Sequence, residues 1–122
     1  KIDEDKDKNN NYNMIKLKEC IILLSKSKHK AQDADKEGIY NYYTSSSVIK
    51  KSNFCDYKEE TIILGNGGNG SLFIDSNFSC SADNFLLQTN KEYNIKYLYY
   101  YLKIRFEELY KLYSGNGLKH LS

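Results

Sequence analysis

The sequence predicts an α+β domain: a curved antiparallel or mixed β-sheet of short strands, packed on a short N-terminal helix and a long C-terminal helix. Three observations predict it. Ile62-Ile63-Leu64 and Leu72-Phe73-Ile74 are short apolar runs either side of a glycine- and asparagine-rich loop, the pattern of a hairpin. Strand-forming residues cluster again over 38–44, 48–54, 78–82 and 84–89. Beyond Asn94, apolar residues recur at spacings of three and four, the period of a helix packed on one face.

Taken in order, residues 1–13 are polar and of mixed charge and read as a linker or disordered terminus. Residues 14–122 read as one domain, long enough to bury a core. The absence of an initiator Met suggests a piece of a larger protein. Met14 to Leu24 reads as a short amphipathic helix running into a buried strand, with Ile15, Leu17, Ile21 and Leu24 on its apolar face. Ser25 to Gly38 is a polar loop, first basic (Lys26, Lys28, His29, Lys30) and then acidic. Its plain reading is a solvated surface; phosphate contact is the functional alternative.

Gly38 to Thr44 and Val48 to Phe54 read as strands, the second carrying Lys50 and Lys51. The hydroxyls of Thr44, Ser45, Ser46 and Ser47 lie between them, where a simple turn competes with contacts to bases or phosphates. A charged turn, 56–60, leads to the hairpin. Its loop, Gly65-Asn66-Gly67-Gly68-Asn69-Gly70, holds residues that tolerate positive φ and can bring backbone N–H groups close to an outside group. Gly65, Gly67 and Gly70 satisfy the dinucleotide pattern G-x-G-x-x-G. That site needs a helix opening on the last glycine, and Ser71-Leu72-Phe73-Ile74-Asp75 reads as a returning strand. Phe78 to Ala82 and Asn84 to Thr89 complete a sheet of roughly five or six strands. The final helix is capped by Asn94 and ends before Gly115. Ile95, Leu98, Leu102, Phe106, Leu109 and Tyr113 form its stripe, broadened by Tyr97, Tyr101 and Ile104. Ser114 to Gly117 is a second Gly/Asn loop, and Ser122 is a good cap for a helix still to come.

The formal net charge is +2, too mild to imply a nucleic-acid partner by itself. The twelve tyrosines carry little weight either, because Lys, Asn, Tyr and Ile share A/T-rich codons. Cys20, Cys55 and Cys80 are widely spaced and form no metal motif; a reducing, cytoplasmic compartment is the simple reading. No run is long enough to span a bilayer, the longest being Cys20 to Leu24. No local signature pairs a cysteine with His29 or His120 for nucleophilic catalysis, and the cysteines read as small buried hydrophobes. No Lys-Ser/Thr follows the glycines as a phosphate loop requires. Asp83 is the one acid outside a solvated run, and an Asx-type turn is its plain role.

The order of several segments carries a resemblance. They are Ile15 to Cys20, Tyr40 to Ser46, Ile62 to Gly70, Phe78 to Asp83, Asn94 to Leu102 and Gly115 to Ser122. In this order they resemble the target recognition domain of type I restriction-modification specificity subunits, over nearly everything from Met14 onward. The resemblance implies a non-catalytic module that reads one half of a split site in double-stranded DNA. It implies a partner, either a methyltransferase subunit or a fused catalytic domain, acting on adenine N6. No cofactor is expected on this chain; S-adenosylmethionine belongs to that partner. A full subunit has two such domains joined by long helices, and this chain has one. It reads as half of a subunit, a domain fused to another enzyme, or a relative put to another use. With loop position, the resemblance suggests phosphate contacts from Lys26, Lys28, Lys30, Lys50 and Lys51. Base-edge contacts fall to Thr44, Ser45, Asn66 and Asn69, with Ser46 on the same face. The alternative is a protein-interaction module of the same fold within a larger assembly.

Overall fold

A computed structural model describes residues 19–113 of the chain. The expected linker 1–13, almost all of the expected N-terminal helix, the second Gly/Asn loop and the Ser122 cap lie outside the described residues. The strands are β1 (Ile21–Leu23), β2 (Tyr40–Tyr43), β3 (Ile49–Ser52), β4 (Thr61–Gly65), β5 (Ser71–Asp75), β6 (Phe78–Cys80) and β7 (Asn84–Thr89). A single 3₁₀ turn, Ala31–Asp33, interrupts the long polar loop. Two helices follow, α1 (Ile95–Ile104) and α2 (Phe106–Tyr113).

The strands form two sheets where one was expected. The first has the order β1-β7-β4-β5 and is antiparallel throughout. The second has the order β3-β2-β6, with β2 antiparallel to β3 but parallel to β6. The reason lies in β4, which is buried along its whole length. Side chains alternate across a strand. Ile62 and Leu64 therefore face α1 and α2, where they pack with Leu87, Leu98, Leu102 and Leu109. Ile63 faces the other way, into Tyr43, Phe78, Cys80 and Leu86. An unbroken apolar run needs cover on both faces, and the second sheet supplies the second cover. Fully burying each such side chain is worth about 1.5–3 kcal/mol.

The hairpin stands where it was expected, with Ile62 opposite Ile74 and Leu64 opposite Leu72. The strand β1 does not match the expected buried strand. It pairs only with β7 at the sheet edge, leaving Ile22 and Leu23 exposed.

The expected long helix is two. Asn94 does cap α1, its side chain accepting from the Lys96 amide at 2.9 Å. Arg105 then leaves helical geometry, with φ −107° and ψ 27°. The buried stripe keeps its period through the break, in Leu98, Leu102 and Leu109. The expected broadening fails at Tyr97 and Ile104, which are 75% and 85% exposed. Both project from the side of α1 away from Leu98 and Leu102, so the sheet cannot cover them.

Candidate nucleic-acid interface

Three loops distant in sequence meet at one end of β4. The first is the hairpin tip. Gly70 donates to the Gly67 carbonyl at 2.9 Å, with φ of +57° at Gly68 and +86° at Gly70. The second is the turn after β2, reached when Gly67 donates its amide to the Ser45 carbonyl at 2.9 Å. A Cβ at Gly65 or at Gly67 would lie 2.8 Å from that carbonyl oxygen. The glycines thus admit a neighbouring segment of the same chain. This corrects the expectation that the loop offers its N–H groups outward: those of Gly67 and Gly70 are used internally. The tip is also held from α2, where the Tyr110 hydroxyl donates to the Gly68 carbonyl at 2.9 Å.

Within the second loop the hydroxyls divide. Thr44 is only 6% exposed, and its Oγ1 accepts from the Ser46 amide at 3.4 Å. Ser46 Oγ accepts from the Val48 amide at 3.2 Å. These two side chains brace the turn. Ser45 is half-buried and faces a shallow depression.

The third loop is the basic one. His29 holds it down: Nε2 lies 2.8 Å from Asp56 Oδ2, Nδ1 lies 3.5 Å from Asp33 Oδ2, and the ring lies 4.4 Å from that of Phe54. The His29 carbonyl accepts from the Ala82 amide at 2.8 Å. The Tyr42 hydroxyl donates to the Lys30 carbonyl. Burial, then nearby carboxylates led by Asp33, pushes that hydroxyl up to about 12, so it remains a donor. Lys26, Lys28 and Lys30 are exposed. The Lys26 ammonium sits 4.1 Å from the Phe85 ring centroid, a cation–π distance.

Lys26, Ser45, Asn66, Gly67, Asp83 and Phe85 line the shared depression. Asn69 is exposed on the hairpin tip but does not line it. Lys50 and Lys51 stand apart on β3, the edge strand of the second sheet, beside a different hollow shared with Asp35 and Lys36. Lys51 is already engaged. Its ammonium donates to Asn41 Oδ1 at 2.7 Å, and Asn41 Nδ2 donates to Asp75 Oδ2 at 2.9 Å. The Tyr43 hydroxyl donates to the same Asp75 oxygen at 2.7 Å.

Sequence reasoning missed Phe85 and Asn84. Phe85 reads simply as core from its apolar neighbours. Asn84 is 1% exposed and lies opposite Gly65 across β4 and β7. Its Nδ2 donates to the Tyr43 carbonyl at 3.1 Å and the Ser81 carbonyl at 3.2 Å, joining the turns after β2 and β6. Its Oδ1 has no partner among the described residues.

Cys20 and Cys80 are buried as expected of small hydrophobes, whereas Cys55 is half-buried and its thiol donates to the Tyr57 carbonyl at 3.6 Å. Burial pushes the Cys80 thiol up to about 12, so it stays protonated. Among the described residues no three His, Cys, Asp or Glu side chains are grouped to hold a metal ion. No helix among them is long and apolar enough to cross a membrane.

The family model for the type I restriction modification DNA specificity domain matches residues 9–122. Among solved structures, the chain is similar to the type-I restriction-modification system S subunit from M. genitalium, with a TM-score of 0.65 and 23% identity. The match covers 83% of this chain and 28% of that one, and at this identity the likeness is one of fold. No curated protein matches.

Proposed function

The chain belongs to the type I restriction modification DNA specificity domain family, and from that premise we propose that it is a non-catalytic module recognising a specific sequence in double-stranded DNA. The observation that carries this reading is the convergence of three loops on one depression, bringing together Lys26, Ser45 and Asn66. A donor-acceptor amide, a hydroxyl and a cation on fixed backbone are the groups that read base edges and hold phosphates. Ser45 and Asn66 take the base-edge role, with Asn69 reaching from the tip. Lys26, Lys28 and Lys30 take phosphates and set register. Thr44 and Ser46 serve by shaping the turn that presents Ser45.

Lys50 and Lys51 extend the positive surface beyond the depression, Lys51 by exchanging its Asn41 partner for a phosphate. Catalysis belongs on this reading to a partner methyltransferase, as a separate subunit or a fused domain. That partner carries S-adenosylmethionine and extrudes the target adenine. The cytoplasm is where such a system meets its DNA. The protein-interaction alternative has less support, because the shared family is defined by DNA specificity.

Selection from random duplexes tests the proposal. A short motif should be enriched, with affinity falling steeply as salt rises. A protein that enriches no sequence, and binds no duplex at low salt, is not a recognition module.

A further inference from the structure

We infer that Asp83 is a specificity-determining residue whose carboxylate selects a base presenting an exocyclic amino group in the major groove. The inference rests on the recognition reading above and names part of the chemistry that the site discriminates.

Asp83 is exposed and lines the same depression as Lys26, Ser45 and Asn66. Its carboxylate is not consumed by its neighbours. Oδ2 accepts weakly from the Ser81 hydroxyl at 3.4 Å, and Oδ1 accepts no hydrogen bond among the described residues. Lys26 forms no ion pair with it; the ammonium sits over Phe85 instead. The turn that carries Asp83 is fixed. The Ser81 amide donates to the Tyr43 carbonyl at 2.9 Å, and the Ala82 amide to the His29 carbonyl at 2.8 Å. The buried Asn84 side chain ties the same turn from beneath.

A carboxylate facing a polyanion adds nothing to phosphate affinity and opposes it. Its value there is selectivity. Ionised, it only accepts hydrogen bonds. Asn66 and Ser45 can donate or accept, so neither alone excludes a base by sign. In the major groove only cytosine N4 and adenine N6 donate, whereas guanine O6 and thymine O4 accept and are repelled by a carboxylate. Asp83 thus supplies a repulsive element as well as an attractive one. Cytosine and adenine share the amino chemistry, and the selected sequence distinguishes them.

Selection from random duplexes with the wild type, Asp83→Ala and Asp83→Asn tests the inference, with thermal melting as a check on folding. The wild type should prefer cytosine or adenine at one position. Asp83→Ala should lose about tenfold of that preference. It should keep its preferences elsewhere and bind non-selected duplex more tightly, because a negative charge is gone. Asp83→Asn keeps the shape but can present a donor, so it should admit guanine or thymine at that position. Unchanged preferences in both variants would overturn the inference. So would a uniform loss at every position with a lower melting temperature, which would make Asp83 a turn-holding residue. If the wild type enriches no motif, the recognition reading itself falls and this inference falls with it.

Discussion

The corner around Asn66 and the edge strand β3 carry the same kinds of residue, and the groups they present are set in place differently. At the corner, backbone meets backbone. Gly67 donates to the Ser45 carbonyl, and the Gly65 and Gly67 Cα atoms approach too closely for any side chain. The backbone of β3 is paired to β2, but the Lys51 ammonium is held by a side-chain relay, through Asn41 to Asp75. Backbone contacts leave the groups they carry little freedom to move. An exposed lysine at the end of such a relay can exchange its partner for another at small cost. A site that reads bases needs the first kind of support, and a site that attracts phosphates manages with the second.

The largest effect expected from this contrast comes from the glycine at the base of β2. A Cβ at Gly38 would lie 2.2 Å from the Ser52 carbonyl carbon, so Gly38→Ala forces β2 and β3 apart. It should lower stability by roughly 3 kcal/mol, the upper end of overpacking costs. Gly67→Ala meets Ser45 alone, its carbonyl oxygen at 2.8 Å and its Oγ at 3.1 Å, and should cost roughly 1–2 kcal/mol. Denaturant titration measures both. Under conditions where both variants are folded, the order should reverse for sequence discrimination, with Gly67→Ala the worse. If Gly38→Ala loses as much discrimination as Gly67→Ala, the corner and the edge are one unit and the contrast is wrong.

Local chemistry was legible in the sequence, and long-range packing was not. The Thr61–Asp75 hairpin and the Asn94 cap rest on neighbours in the chain, and both are found where the residue types placed them. The second sheet rests on β2 lying parallel to β6, a pairing with no local signal. One hint was present: Ile62-Ile63-Leu64 does not alternate, which asks for cover on both faces. The glycines were read correctly as permissive and wrongly as outward-facing. Their partner, the Ser45 carbonyl, lies some twenty residues earlier and no motif announces it. The lysines were visible as charge, but nothing in the sequence separates Lys26, which lines the depression, from Lys50 and Lys51, which do not. The break at Arg105 also had no signal, since the apolar period runs straight through it.

Asn66→Ala probes the corner without touching its backbone. The side chain is exposed and lines the depression, so folding should be almost unaffected. Discrimination between the selected site and a mismatched one should fall by roughly 1–3 kcal/mol, the size of a good base contact. Competition binding measures it. Equal loss on every sequence would turn Asn66 into a phosphate contact and weaken the case that backbone-fixed groups read bases.

The smallest effect is expected on the edge, where single and double lysine variants separate attraction from reading. Lys50→Ala with Lys51→Ala should weaken binding to all duplexes alike and flatten the salt slope by about one unit per lost phosphate contact. Lys51→Ala alone also releases Asn41, whose amide keeps Asp75 as its other partner. The stability cost should therefore stay within about 1 kcal/mol, the net worth of one exposed hydrogen bond. Lys50 has no such tie, and Lys50→Ala should change the salt slope with no change in melting. An unaltered slope in the double variant would remove β3 from the DNA-facing surface. The corner would then carry both affinity and selectivity, with Lys26, Lys28 and Lys30 as its only cations among the residues proposed for contact.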